Sequence, residues 1–82
     1  MKRTLQSAIA KAIKSMRTER GMSQEELAHA CNLDRTYISG IERQVRNPTV
    51  KTLERIIASV DIGESDFLKI VLGIINSENK NK

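Results

Sequence analysis

The chain has 82 residues, with fourteen Lys+Arg against ten Asp+Glu, a net charge of +4 and 39% hydrophobic residues. A chain this short buries only about 60% of its unfolded surface, so it holds one thin core, and its positive balance favours a polyanion as partner. Two aromatic residues, Tyr37 and Phe67, are too few for a protein that stacks single-stranded bases, and one cysteine, Cys31, excludes an internal disulfide or a cysteine-based zinc site. A reducing, cytoplasmic setting is expected. No apolar run reaches the ~20 residues of a membrane span, and Met1-Lys2-Arg3 leads into an amphipathic pattern rather than a signal peptide.

Charge is unevenly placed. Residues 1–55 carry eleven basic and six acidic side chains, a net of +5, whereas residues 56–82 carry three and four, a net of −1. Ten isoleucines must supply most of the core.

The first predicted helix runs from about Leu5 to Arg20, with Thr4 as N-cap and Leu5, Ala8, Ile9, Ala12, Ile13 and Met16 on one face. Gly21 should end it as a left-handed residue. The second start is the best signalled: Ser23 and Glu26 form a capping box, and Met22 and Leu27 a hydrophobic staple. This helix covers about Gln24 to Cys31, and Asn32 can turn the chain in a left-handed conformation. Asp34 caps the third, Arg35 to about Gln44, before a Val45-Arg46-Asn47-Pro48 loop. Thr49 caps the fourth, with apolar positions Val50, Leu53, Ile56, Ile57 and Val60. Gly63 or Glu64 opens the fifth, to about Asn76, leaving 77–82 as a polar, disordered tail to a single domain over 1–76. No segment alternates as a strand does, so the fold is all-α.

Two short helices joined by three or four residues form either a plain α-hairpin or a DNA-reading helix-turn-helix, and the third helix decides. Spaced at about 100° with Arg35 at zero, Ile38, Ile41 and Val45 fall between about 240° and 300°, while Arg46, Ser39, Arg43 and Thr36 fall between about 20° and 100°. One arc is aliphatic and packs down. The other offers arginines, which can bridge guanine O6 and N7, and small hydroxyls suited to base edges or phosphates. Gly40 lies beside that arc, where it would let the backbone approach a groove at a propensity cost of about 0.5–1 kcal/mol relative to alanine. The expected base-contacting residues are therefore Arg35, Thr36, Ser39, Arg43 and Arg46.

The run SQEELAHACNLDRTYISGIERQVRNPT resembles the helix-turn-helix of the phage repressor and Cro family, over Arg17 to about Phe67. LDRTYISGIER followed by RNPT is more specifically similar to the controller proteins of restriction-modification systems, small homodimeric activator-repressors of their own and the endonuclease gene. The resemblance implies a five-helix repressor/Cro-like bundle with helices 2 and 3 as the helix-turn-helix. It places Ala28 where a small residue separates the two helices, and Leu33, Ile38 and Ile41 at packing positions. Asn32 stands where glycine is usual, Gln44 where a glycine often ends the third helix, and Gly40 where some relatives carry a base-reading side chain.

The first turn of the second helix, with its free N–H groups, favours a phosphate. The resemblance implies a phosphate clamp at Gln24, with Ser23 beside it, and Asn47 and Thr49 are second candidates. Tyr37, near about 200°, faces away from the basic arc and is read either as a backbone contact or as a flank-packed ring. Arg17 and Glu42 resemble a family pair that ties the first helix to the end of the reading helix. His29 and Cys31 do not share a face, so no metal, cofactor or catalytic set is expected.

Between Phe67 and Ile75, seven of nine residues are apolar. Phe67, Val71 and Ile74 can fill one stripe against the domain, which leaves Leu68, Leu72 and Ile75 on a second. A homodimer through that second stripe is expected, reading an inverted-repeat operator in double-stranded DNA. An activating role would add RNA polymerase as partner. The alternatives are another phage- or chromosome-type repressor, or an antitoxin with toxin-binding and autorepressor activity; no nucleophile-base pair or phosphate-binding loop supports an enzyme.

Overall fold

The computed structural model describes residues 4–80, and the side chains of 5–78. Five helices follow in order: α1 (Thr4–Glu19), α2 (Gln24–Ala30), α3 (Arg35–Glu42), α4 (Val50–Ser59) and α5 (Glu64–Lys80), with no strand among the described residues. Each starts and stops for a local reason. Ser23 Oγ accepts from the Glu26 N–H at 3.0 Å while Glu26 Oε1 accepts from the Ser23 N–H at 2.8 Å, completing the capping box. Thr49 Oγ1 accepts from the Thr52 N–H at 3.0 Å. Asp34 takes the N-cap backbone conformation of α3, but its side chain makes no capping bond. Thr4 is the first residue of α1 rather than its N-cap.

The first four helices end in one way. Gly21, Asn32, Gln44 and Asp61 adopt left-handed φ values of 66°, 58°, 66° and 57°. The next N–H reaches back to a carbonyl five residues earlier: Met22 to Arg17, Leu33 to Ala28, Val45 to Gly40 and Ile62 to Ile57. These are Schellman closures, which satisfy carbonyls that a helix end leaves open. Three of the four use a residue other than glycine.

The core is aliphatic. Ile13, Met16, Leu27, Ile38, Ile41, Ile56 and Phe67 are almost fully buried, with Ala8, Ala12 and Ala28 filling the close approaches. Each such large side chain contributes about 1.5–3 kcal/mol through removal from water. Arg20 near the end of α1 donates to the Val60 carbonyl, and Lys11 in mid-α1 pairs with Glu78 near the end of α5, so α5 returns antiparallel along α1.

Several expectations change. α3 stops at Glu42, not Gln44, so the 100° spacing ends there. Val45, expected to pack down, is 67% exposed because Gln44 has already turned the chain. Val50 is 76% exposed at the first position of α4, where no neighbour covers it. α5 continues through Lys80, so 77–80 are helical; Glu78 gives that last turn a tertiary partner in Lys11. Asn81 and Lys82 lie outside the described residues.

Candidate nucleic-acid interface

α3 is short and doubly anchored. On its inner side Ile38 and Ile41 are buried, 0% and 1% exposed, which fixes its rotation. On its outer side Arg35, Thr36 and Arg43 are exposed, and Ser39 is half-buried. The exposed and buried arcs follow from the 3.6-residue period, and a rigid core beneath gives the outward side chains a stable base.

Arg17, on α1, ties down the end of α3. Its Nε donates to Glu42 Oε2 at 2.7 Å, Nη2 to Glu42 Oε1 at 2.9 Å and Nη1 to the Met22 carbonyl at 2.7 Å. The two side chains are only 10% and 5% exposed. The Glu42 hydrogen bond, opposed by burial and aided by the Glu42 charge, raises Arg17 above its ordinary pKa. A bidentate guanidinium-carboxylate pair fixes direction as well as distance. Gln24 joins the group: its Nε2 donates to Glu42 Oε1 at 3.1 Å. One amide hydrogen of Gln24 is thereby committed to Glu42.

Ser23 and Thr49 both serve as helix caps, and Thr49 is also paired with the Thr52 hydroxyl at 2.9 Å. Asn47 is exposed in the α3–α4 loop, between Arg46 and the half-buried Pro48. The structure thus gathers Ser23, Gln24, Glu42 and Arg17 around the start of α2 and the end of α3. Arg35, Thr36 and Arg43 stand on the outer side of α3.

Arg46 is not on a continuation of α3. Beyond the turn at Gln44 the chain folds back, and the Arg46 N–H donates to the Gly40 carbonyl at 3.1 Å. Its guanidinium carbon lies 5.7 Å from the centroid of the Tyr37 ring, within cation–π range. Tyr37 is half-buried and packed on the core, so the flank-packed ring describes its geometry, but it faces Arg46 rather than standing apart from the arginines. Gly40 is buried and its open side is occupied by the Arg46 stem, so it does not offer bare backbone to a groove.

Sequence reasoning assigned no role to Arg55. Its Nη2 donates to the carbonyls of Cys31 and Asn32 at 2.8 and 3.0 Å, strapping α4 to the turn of the helix-turn-helix. A lone arginine on α4 carries no local signal for this. Cys31 is buried, with Sγ donating to the Leu27 carbonyl at 3.1 Å, and burial raises its thiol pKa. No group of three or more His, Cys, Asp or Glu among the described residues could hold a metal ion.

On α5 the two stripes separate unevenly. Phe67 and Val71 are buried at 0% and 3%, with Ile74 half-buried against the core. Leu68 and Leu72 are 61% and 57% exposed. Ile75 is half-buried and also packs on its own core, so it belongs less to the outer stripe than the heptad-like spacing implied.

These features define a helix-turn-helix DNA-binding fold, and residues 13–67 match the Helix-turn-helix family; the chain belongs to it. Among its relatives, the control protein C.BamHI of Bacillus amyloliquefaciens is 44% identical over 59 residues, 72% of this chain and 72% of that protein. A hypothetical transcription factor of Neisseria meningitidis serogroup B is 36% identical over 64 residues, 78% of this chain but only 60% of its own length. The restriction-modification controller C.Esp1396I, whose structure is a tetramer in complex with its natural 35 base-pair operator, superposes with a TM-score of 0.83 at 46% identity, covering 87% of this chain and 93% of that one. The relatives are transcription regulators rather than enzymes.

Proposed function

We propose that this protein is a cytoplasmic, sequence-specific dimeric transcription regulator of a palindromic operator, acting as the autoregulating controller of a restriction-modification system. The observation that carries this reading is the outer side of α3, where Arg35, Thr36 and Arg43 stand exposed over a core that Ile38 and Ile41 lock in place. The operator complex of C.Esp1396I, with the same fold, supports duplex DNA as the ligand.

In this reading Arg35, Thr36, Ser39, Arg43 and Arg46 contact base edges. Arginine supplies paired donors for guanine, and the hydroxyls supply donors and acceptors with little bulk. Ser23, Gln24, Tyr37, Asn47 and Thr49 contact phosphates and set the register of the helix in the groove. Leu68 and Leu72, with Ile75 at their edge, form a twofold dimer interface. Two reading helices then enter major grooves about one turn apart. RNA polymerase is a partner when the regulator activates.

Selection from random duplex DNA with the full chain, followed by binding titrations at varied salt, tests this. An inverted-repeat sequence should emerge. Its affinity should fall by about 10³–10⁵ between about 50 and 200 mM salt, as counterions are released from 6–10 phosphates. Absence of sequence preference together with a flat salt response would refute it. No helix among the described residues is long and apolar enough to cross a membrane.

A further inference from the structure

Gly40 is a glycine in a place that does not call for one by conformation. It lies within α3 and has an ordinary helical backbone, since its φ is not among the positive ones. What it lacks is a side chain, and the missing volume is filled. A Cβ built there would stand 3.0 Å from Arg46 Cγ, 3.2 Å from Cδ and 3.5 Å from Cβ. These are the middle atoms of the arginine stem, not its mobile end. The root of that stem is tied as well, because the Arg46 N–H donates to the Gly40 carbonyl. Further out, the guanidinium rests over Tyr37.

We propose that Gly40 is a positioning residue for DNA recognition: the notch it leaves in α3 seats the stem of Arg46, and the Tyr37 ring then directs the guanidinium toward the duplex. The proposal rests on the DNA-binding reading above. Arg46 lies outside regular helix and is exposed, where an unsupported arginine would sample many rotamers. Three contacts along its length (backbone, stem and guanidinium) hold one arrangement in advance of binding, which lowers the ordering cost on contact with DNA. The seat also explains how a residue beyond the end of α3 can act together with Arg35 at its start and Arg43 at its C-cap.

The test compares wild type, Gly40→Ala, Arg46→Ala and the double variant. Each is titrated against the duplex enriched from a random pool by the wild-type protein and against a scrambled duplex of equal length. Gly40→Ala should weaken binding to the enriched duplex by roughly two- to tenfold, the factor for losing preorganisation of one rotamer-rich side chain. The double variant should bind no more weakly than Arg46→Ala alone. The melting temperature of Gly40→Ala should stay at or above that of wild type, since alanine is the better helix former. Without DNA, the Arg46 Hδ resonances should carry a ring-current displacement from Tyr37 that Gly40→Ala removes. Full affinity of Gly40→Ala, or an equal loss in the Arg46→Ala background, would overturn the proposal; the latter would mean that the glycine admits DNA itself. Unchanged Arg46 resonances in Gly40→Ala would overturn the seat whatever the DNA result. A wild-type protein that enriches no duplex would instead defeat the DNA-binding reading.

Discussion

The outer sides of α3 and α5 are exposed surfaces of opposite chemistry, and they are held in opposite ways. Around α3, directional bonds dominate: the Arg17–Glu42 pair, the Gln24 amide, the capping box and the Arg55 strap all fix angles. On α5, Leu68 and Leu72 offer only area. A recognition helix must present donors to within a fraction of an ångström, so its supports are polar and geometric. A self-association surface needs a shape and water to expel, so an aliphatic stripe suffices.

The comparison can be broken most forcefully on α5. Leu72→Glu removes two leucines from the proposed twofold interface, each worth about 1.5–3 kcal/mol, and sets like charges near one another. The expected product is a folded monomer with dissociation raised at least about a hundredfold and much weaker operator binding. Sedimentation velocity checks the mass and circular dichroism the helix content; an intact dimer would refute the interface.

Next in size is the polar lock. Arg17→Ala strands the buried Glu42 carboxylate and should cost about 3–5 kcal/mol, a large share of the stability of so small a domain. Urea unfolding should show the midpoint falling accordingly. The associated loss of DNA binding should track the unfolded fraction, since all three bonds of Arg17 hold Glu42 and the Met22 carbonyl.

A smaller effect, of opposite sign, is expected where α3 ends. Gln44 bears the left-handed conformation that costs a side-chain-bearing residue about 1–2 kcal/mol, part of which glycine returns as unfolded-state entropy. Gln44→Gly should therefore stabilise the chain by about 0.5–1 kcal/mol, measured as a raised urea midpoint with an unchanged slope.

The smallest effect concerns Cys31. Burial keeps its thiol protonated in the folded protein at a pH where the unfolded thiol, with an ordinary pKa near about 8.5, has ionised. The unfolded state then binds fewer protons, so this contribution to stability is complete below about pH 8 and fades as pH rises toward the raised folded value. Cys31→Ala should flatten the melting-temperature slope between about pH 8 and 10 relative to wild type. A disulfide-exchange reagent should label Cys31 only as fast as the chain opens.

Much of the fold was legible because its signals are local. The capping box at Ser23 and Glu26, the Thr49 cap and the left-handed ends at Gly21 and Asn32 each involve residues within about six positions of one another. The arcs of α3 from Arg35 to Ile41 follow from the same short-range geometry. The extrapolation failed at Gln44, where one left-handed residue sent Val45 to solvent and folded Arg46 back. Asp61, unlike Gln44, carried no sequence mark as a helix-ending residue.

By itself the sequence determined the helix count, the position of the helix-turn-helix pair and the excess of apolar surface on α5, since periodicity, capping and the motif's spacing depend on near neighbours along the chain. Tertiary structure alone decided what the side chains do with one another. It seated Arg46 in the notch of Gly40, turned Gln24 toward Glu42, strapped Arg55 across the turn, carried α5 on to Lys80 and paired its Glu78 with Lys11. Those arrangements depend on volumes and directions in space, which residues far apart in sequence share only once the core has closed.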